Sequence, residues 1–144
     1  MKKGKPELIV QKLTELGVDK IVPTVAQRSV VHWTDKKIVE NEKRFNRIAR
    51  EAAMQSRQVY IPEVMKTQPF SDLGMEKGIT LAHPKGKKLT LDHSFLVIGP
   101  EGGWTPEEVE GKECCSLGES ILRSETAAIS AGVLLTSLRD GRVE

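Results

Sequence analysis

In the first stretch of the chain, apolar residues recur with the 3.6-residue period of an α-helix. Three of them share one face, at spacings of four and three residues: Ile9, Leu13 and Leu16. Pro6 suits the first turn of a helix and Gly17 is a natural stop, so the pattern predicts a helix over residues 5–18. The next run, residues 20–26, is short and rich in β-branched residues, which predicts a strand.

A longer helical pattern covers residues 34–56, where Thr34 is placed to cap the amino end. One set of residues at helical spacing is expected to face the core: Ile38, Phe45, Ile48, Ala52 and Gln55. Arginines crowd the polar side of the same stretch of chain: Arg44, Arg47, Arg50 and Arg57. The pattern therefore predicts an amphipathic helix with a basic outer surface.

The second half of the chain alternates short apolar runs with helical patterns. The predicted elements are a short helix or turn at 69–78, a strand at 79–84, a basic loop at 85–88, a strand at 94–100, a helix at 105–113, a strand at 114–118 and a helix at 124–141. This alternation predicts an α/β fold with a mostly parallel sheet flanked by helices. Ligands of such sheets bind beyond the carboxyl ends of the strands. Three strand ends qualify: Ala82–Pro84, Gly99–Gly103 and Leu117–Gly118.

Two helix starts carry recognisable capping signals. Thr105, with Pro106 next and Glu108 three residues later, is the pattern of a capping box. Ser124 is the expected N-cap of the last helix. That helix also has a face of small residues, which would let another backbone approach closely: Ala127, Ala128, Ala131 and Gly132.

Composition and charge narrow the class of protein. The 144 residues suit one domain, and no apolar run approaches the roughly 20 residues that span a bilayer. The basic amino terminus lacks the features of a signal peptide, so a cytoplasmic location is expected. Cys114 and Cys115 are predicted to be reduced thiols, and no metal site is predicted.

The net charge of +2 conceals an uneven distribution. Residues 28–57 contain eight Lys or Arg against four Asp or Glu, whereas residues 99–144 contain four against nine. The basic half could attract a polyanion, or it could be a solvated helix face that binds nothing. Charge alone leaves both interpretations open.

Three glycines lie within five residues after the apolar strand at 94–100: Gly99, Gly102 and Gly103. Their spacing matches neither the P-loop nor the dinucleotide-binding fingerprint. No cation lies inside the loop, and Glu101 would repel a phosphate. The loop is thus either a binding loop for a neutral or cationic ligand that approaches the backbone, or a connecting turn.

The segment after the last strand combines apolar and polar groups in a way that suits a planar base. Its candidate residues are Leu117, Gly118, Ile121, Leu122 and Arg123. Arg123 could neutralise developing charge or hold a phosphate, or it could pair with Glu125. His83, at a strand end, could be a base or a structural histidine, and Trp33 and Trp104 could stack on bases or anchor the core.

The chain resembles the bacterial 16S ribosomal RNA uridine-N3 methyltransferase family, the small-subunit methyltransferase E family of the SPOUT superfamily. Four stretches carry the resemblance, in this order: KLTELGVDKIVPTVAQRSV, RIAREAAMQSRQ, LVIGPEGGWTPEEVE and LGESILRSETAA. The similarity extends from Glu7 to about Leu138. It implies that residues 1–144 form a SPOUT methyltransferase domain with a trefoil knot in its carboxyl-terminal half.

The resemblance also implies a homodimer that binds S-adenosylmethionine and methylates 16S rRNA of the small ribosomal subunit. The implied cofactor-binding residues are Leu81, His83, Gly99, Glu101, Gly102, Gly103, Leu117, Gly118, Ile121, Leu122 and Arg123. Because N3 of uridine must lose a proton, a base or a stabiliser of the anion is needed. Arg28 and Arg123 are the catalytic candidates.

One departure from the family pattern concerns the amino-terminal end. Family members usually carry an additional RNA-binding domain of β-barrel type, which is expected to be absent because this chain opens at the first helix. Two other functions stay open at the level of sequence. One is a SPOUT enzyme that methylates a ribose 2′-oxygen of tRNA or rRNA, and the other is a non-catalytic module for RNA binding or dimerisation.

Overall fold

The protein is an α/β fold in which short parallel strands are flanked by helices, as predicted. A computed structural model describes residues 5–29, 33–73, 78–93, 95–100, 102–118, 120 and 122–143. The elements are α1 (Lys5–Leu16), β1 (Lys20–Ile21), β2 (Thr24–Val25), α2 (Asp35–Gln55), β3 (Glu63–Val64), β4 (Gln68–Pro69), α3 (Phe70–Leu73), β5 (Ile79–Lys88), a 3-10 turn at Leu91–His93, β6 (Phe95–Val97), α4 (Pro106–Val109), β7 (Glu113–Ser116) and α5 (Ser124–Arg139).

Every strand pairing in the described residues is parallel. Strand β1 pairs with β3, and β2 pairs with β4, through two residues each. The remaining strands form a sheet in the order β6-β5-β7. Leu81 in the central strand lies between Val97 of β6 and Cys114 of β7. Parallel strands in this register bring the carboxyl ends of β5, β6 and β7 to one edge of the sheet.

The basic loop predicted at 85–88 is wrong, because β5 continues through Lys88. Cys115 of β7 pairs with Ala82 and again with Lys87. A strand residue has one neighbour on each edge, so the chain between these two partners must cross β7. At Gly86, an added Cβ would lie 2.5 Å from the Cys115 amide nitrogen. Glycine therefore permits this crossing by removing the side chain at the closest point.

Two buried clusters hold the elements together. The first joins α3 to the sheet and contains Ala26, Phe70, Leu73, Ile79, Leu81 and Val97. The second lies between α1, α2 and strands β1 and β3, and contains Val10, Ile21, Phe45, Ala49 and Val64. At about 1.5–3 kcal/mol for each large side chain, burial in these clusters is the main term that favours folding.

The inner side of α2 agrees with the prediction at Phe45 and Ala52, which are buried, whereas Ile38 and Ile48 are half-buried. The prediction for Gln55 is wrong, because this side chain is exposed. Its position in the last turn lies at the border of the apolar stripe, where a polar amide stays in water. The helix ends in a hydrogen-bonded turn in which Arg57 has φ 59°, a conformation that usually selects glycine.

The predicted N-caps have mixed outcomes. The Thr34 hydroxyl accepts a hydrogen bond from the Lys37 amide, as expected. Ser124 is not the N-cap of α5, because its backbone is already helical and the extended residue before it is Arg123, with ψ 156°. The first carbonyl of the helix ladder is accordingly that of Arg123, which accepts from the Ala127 amide.

The small-residue face of α5 is confirmed as a surface for close packing. Ala127, Ala128, Ala131 and Gly132 are buried. A Cβ at Gly132 would lie 2.7 Å from Leu13 Cδ2 and 3.2 Å from Leu16 Cδ1, so α1 packs directly on the glycine. Among the described residues, no helix is long and apolar enough to cross a bilayer.

Candidate functional site

The three strand ends predicted from the sequence lie at one edge of the β6-β5-β7 sheet. Ala82 pairs with Cys115, and Leu81 pairs with Val97, so the three chains leave the sheet side by side. Gly99 and Leu117 come shortly after β6 and β7, whereas His83 lies within β5, just after Ala82, where the ladder with β7 shifts its register. Leu81 has no exposed surface, because its side chain belongs to the core. With no exposed surface, Leu81 offers a ligand neither its side chain nor its backbone in this structure.

The loop from Gly99 to Trp104 is held by its tryptophan. Trp104 Nε1 donates a hydrogen bond to the Ala82 carbonyl over 3.0 Å, and the indole packs on Phe70 with ring centroids 4.8 Å apart. Gly103 donates its amide to the Pro100 carbonyl over 2.9 Å and has φ 80°, which closes a tight turn. Trp104 thus anchors the loop to the end of β5, and the core-packing interpretation of this residue is favoured.

Arg28 reaches across the chain to the same loop. Its Nη1 donates to the carbonyls of Gly102 and Trp104 over 3.3 and 3.2 Å. The neighbouring Gln27 amide donates to Glu108 Oε2 over 2.9 Å. The segment after β2 therefore clamps the loop at two points. Arg28 is a site residue predicted from the sequence, but no local pattern predicts this clamp, since 74 residues separate Arg28 from Gly102.

The glycines of the loop are explained by packing within the chain. A Cβ at Gly102 would lie 2.9 Å from Arg28 Cβ and 3.0 Å from the Arg28 carbonyl oxygen. A Cβ at Gly99 would lie 3.0 Å from the Trp104 ring. Gly103 needs its positive φ. The loop is thus a tightly packed turn, and its exposed backbone at Gly102 remains accessible to a ligand.

The segment after β7 forms the other wall of the edge. Ser116 Oγ donates to the Gly118 carbonyl and accepts from the Gly118 amide, over 2.7 and 3.1 Å. Gly118 has φ 142°, and an added Cβ would meet open space. Leu117 and Leu122 are half-buried, so each still offers some apolar surface. Two predicted cofactor residues, Glu101 and Ile121, lie outside the described residues.

Arg123 and Ser124 stand at the start of α5, next to this wall. The Arg123 side chain is exposed and makes no hydrogen bond or salt bridge within the described residues, so no pair with Glu125 is seen there. Ser124 Oγ is buried and has no hydrogen-bond partner in the described part of the chain. A buried hydroxyl without a partner is costly, which fits a site that a polar ligand completes.

His83 has one ring nitrogen occupied by the backbone. Its Nδ1 accepts a hydrogen bond from the Lys85 amide over 3.1 Å. The neutral imidazole must then carry its proton on Nε2, where it can donate but cannot accept. This arrangement favours the structural interpretation of His83 over a role as a base.

The two cysteines suit neutral thiols. Burial, and to a lesser extent the Glu113 carboxylate, raises the pKa of Cys114 and of Cys115 above the ordinary value. Both thiols are therefore protonated at neutral pH and poorly nucleophilic. Within the described residues, no group of three His, Cys, Asp or Glu side chains could hold a metal ion.

The edge offers backbone donors and acceptors, the half-buried Leu117 and Leu122, and no cation inside the glycine loop among its described residues. Exposed backbone groups can bind the polar edges of an adenosine, and the two leucines can pack on the face of its adenine ring. The residues present are therefore compatible with S-adenosylmethionine.

Comparison with known proteins points in the same direction. A family model described as an RNA methyltransferase domain matches residues 1–136. Ribosomal RNA small subunit methyltransferase E of Bacillus subtilis is 37% identical over 158 residues, covering 90% of this chain and 60% of that protein. These findings confirm the resemblance predicted from the sequence.

Two solved structures with bound cofactor are similar to this chain. Ribosomal RNA small subunit methyltransferase E from Neisseria gonorrhoeae, bound to S-adenosyl methionine, has a TM-score of 0.80 at 25% identity, covering 95% of this chain and 63% of that one. A Legionella pneumophila structure in complex with the cofactor SAM has a TM-score of 0.82 at 28% identity, covering 94% and 62%. The chain spans about 60% of the length of the curated relatives it matches.

Proposed function

We propose, from the premise that the chain belongs to the RNA methyltransferase domain family, that it transfers a methyl group from S-adenosylmethionine to N3 of a uridine in 16S rRNA. The observation that carries the proposal is the meeting of β5, β6 and β7 at one edge, with the loop at Gly99–Trp104 on one side and Leu117–Leu122 on the other. Similarity to two structures that hold this cofactor supports the same site.

The cofactor would be bound mainly by backbone groups of the two walls. We propose as its contacts the exposed or half-buried members of the predicted set: His83, Gly99, Gly102, Gly103, Leu117, Gly118, Leu122 and Arg123. Leu81, also in that set, is fully buried and would support the edge from within the core. Glu101 and Ile121 remain proposed contacts from the sequence alone. When bound, S-adenosylmethionine supplies an electrophilic methyl group on a sulfonium, and aligning it with the acceptor nitrogen is a large part of the rate enhancement.

The chain's cations would act on the uridine. Loss of the N3 proton leaves a negative charge on the base, which a guanidinium can stabilise. Arg28 uses only Nη1 for the loop carbonyls, so its other N–H groups have no hydrogen-bond partner within the described residues. The Arg123 side chain is equally available. We propose that both stabilise the anion or hold an adjacent phosphate of the RNA.

Three finer features accompany the proposal. The double pairing of Cys115, with Ala82 and with Lys87, supports a trefoil knot completed by the segment that follows β7. Val133 and Leu134 of α5 are 42% and 36% exposed, which supports an apolar contact in a homodimer. An rRNA substrate favours a cytoplasmic location. Residues 1–144 are proposed to act as one methyltransferase domain.

The product of the reaction tests the function. The purified chain would be incubated with isotope-labelled S-adenosylmethionine and either 16S rRNA or small ribosomal subunits, and the RNA digested to nucleosides for mass analysis. We expect labelled 3-methyluridine. A labelled 2′-O-methyl nucleoside would instead identify the ribose-methylating alternative. Cofactor binding without any labelled nucleoside would contradict a catalytic role for the chain with these substrates.

A further inference from the structure

The outer face of α2 carries a line of basic side chains. Four residues form this α2 basic face: Lys36, Lys43, Arg47 and Arg50. At about 100° per residue they lie within about 60° of one another around the helix axis. All four are exposed, and they lie opposite the buried Phe45, Ala49 and Ala52. The line is therefore a continuous ridge that faces away from the core.

The side chains of this ridge form no salt bridge in the described part of the chain, although Glu40, Glu42 and Glu51 lie on the same helix. Two other arginines of the protein are paired with carboxylates. Arg44 lies 3.3 Å from Glu7, and Arg139 lies 2.9 Å from Asp140. No hydrogen bond or salt bridge within the described residues involves the side chains of the α2 basic face. These charges are available to an external anion.

The ridge borders a groove whose floor is held in place. A cavity of about 410 Å³ is lined by Glu42, Lys43, Asn46, Arg47 and Arg50. Asn46 Nδ2 donates to the Val64 carbonyl over 3.0 Å, and its Oδ1 accepts from the Val64 amide over 3.3 Å. This pair of hydrogen bonds joins α2 to β3. The cations therefore project from a rigid surface.

We propose that the α2 basic face binds the phosphate backbone of RNA, outside the edge that holds the cofactor. The inference rests on the proposed function, because an RNA methyltransferase domain must hold its substrate near the site. The ridge from Lys36 to Arg50 is about 21 Å long, which suits successive phosphates of one strand. The guanidinium groups of Arg47 and Arg50 can each bind a phosphate through two parallel hydrogen bonds, which adds directional contacts to the charge attraction. An acidic polypeptide is the alternative occupant.

The position of α2 connects this surface to the site. Asp35, its first residue, is seven residues after Arg28 in the chain. Arg28 holds the loop at Gly102 and Trp104. Along the chain, the α2 basic face thus follows closely after the residue that holds the cofactor loop. Binding at this surface would position RNA without selecting its sequence.

Salt dependence of RNA affinity tests the inference. Arg47→Gln/Arg50→Gln would be compared with the intact chain by fluorescence anisotropy of a labelled RNA hairpin and of a scrambled hairpin. We expect both affinities to fall about tenfold at 150 mM salt, and the slope of log affinity against log salt to fall by about 1.5 for two lost phosphate contacts. Lys20→Gln/Lys66→Gln removes the same charge from exposed positions outside the face and should change affinity less than twofold.

Equal loss of affinity in the two double variants would overturn the inference, because net charge alone would then explain binding. Binding of a labelled polyglutamate peptide as tightly as RNA, with the same loss in Arg47→Gln/Arg50→Gln, would identify an acidic polypeptide instead. Titration of S-adenosylmethionine separates this surface from the proposed function. Cofactor affinity should be the same in the intact chain and in both variants. If the intact chain binds no cofactor, the proposed function is contradicted, and the RNA affinities of the variants still decide whether the α2 basic face binds RNA.

Discussion

At the scale of single residues, Gly86 is placed where the chain allows no side chain. The Cβ position lies 2.5 Å from the Cys115 amide nitrogen and 2.6 Å from the Cys114 carbonyl carbon. Both neighbours are backbone atoms of β7, which cannot rotate away as a side chain could. The crossing over β7 must open if residue 86 acquires even a methyl group, and the edge that holds the site lies immediately beside it.

We predict that Gly86→Ala lowers the free energy of unfolding by about 3 kcal/mol, because the added methyl overpacks two strands. Gly78→Ala is the control. It also adds a methyl group, at φ 84° but with nothing within 4 Å, and should cost only about 1 kcal/mol of backbone strain. Urea denaturation measures both. Equal costs would mean that β5 does not cross β7 at this point.

Arg28 acts on the cofactor loop through two hydrogen bonds. We predict that Arg28→Ala weakens S-adenosylmethionine binding about fivefold, because the Gly102 and Trp104 carbonyls lose their donor and the loop loosens. Gln27→Ala is the matched control, since Gln27 contacts Glu108 only through its backbone amide. Calorimetry would measure the affinities. A Gln27→Ala variant as weak as Arg28→Ala would remove the case for a side-chain clamp.

Substitution of Arg123 can distinguish a functional role from a structural one, because turnover and stability are measured separately. Its side chain is exposed and makes no recorded contact within the described residues, so Arg123→Ala should change the free energy of unfolding by less than about 0.5 kcal/mol. If Arg123 stabilises the uridine anion, the turnover number should fall by about 100-fold. Arg123→Lys should recover part of that loss by restoring the charge. Unchanged turnover in Arg123→Ala would exclude Arg123 from catalysis.

At the scale of elements, α4 joins the glycine loop to the segment after β2. Glu108 Oε1 accepts from the Thr105 amide over 2.9 Å while the Thr105 hydroxyl accepts from the Glu108 amide, which completes the predicted capping box. Glu108 Oε2 accepts from Gln27. One carboxylate thus caps a helix and ties it to a segment 81 residues away.

We predict that Glu108→Ala lowers the free energy of unfolding by about 1.5 kcal/mol, since it loses a cap and leaves the Gln27 amide without its acceptor. Glu108→Gln should be intermediate, because its amide has only one oxygen for two donors. Glu107→Ala removes an exposed acid from the same helical turn and should cost a few tenths of a kcal/mol. The bridging role would be wrong if Glu107→Ala and Glu108→Ala proved equally stable in denaturant.

Local sequence patterns predicted most of the helices and strands. They could not predict contacts between segments that are far apart in the chain. The caps at Thr34 and Thr105 follow from residues within one turn. The strand at 85–88 was missed because Lys and Gly carry no strand pattern, and it exists only by pairing with β7. The Arg28 clamp joins segments 74 residues apart, and no periodicity could indicate it.

At the scale of the whole molecule, function is divided between an edge of the sheet and an outer helix face. The edge gathers three strands that lie in the sheet order β6-β5-β7, with β5 in the centre. Arg28 and Arg123 place two cations at the edge, and the α2 basic face carries four more. The first pair would act on the uridine or a phosphate beside it, and the α2 basic face would attract other phosphates of the same polyanion.

Backbone amide spectra recorded during titration with S-adenosylmethionine test the central claim most directly, because they report both binding and its location. We predict saturable shifts at Gly99, Gly102, Gly103, Leu117, Gly118 and Leu122, and none at Gly78 or Gly141. A folded chain that shows no shifts, or shifts confined to residues away from the edge of β5, β6 and β7, would contradict the account.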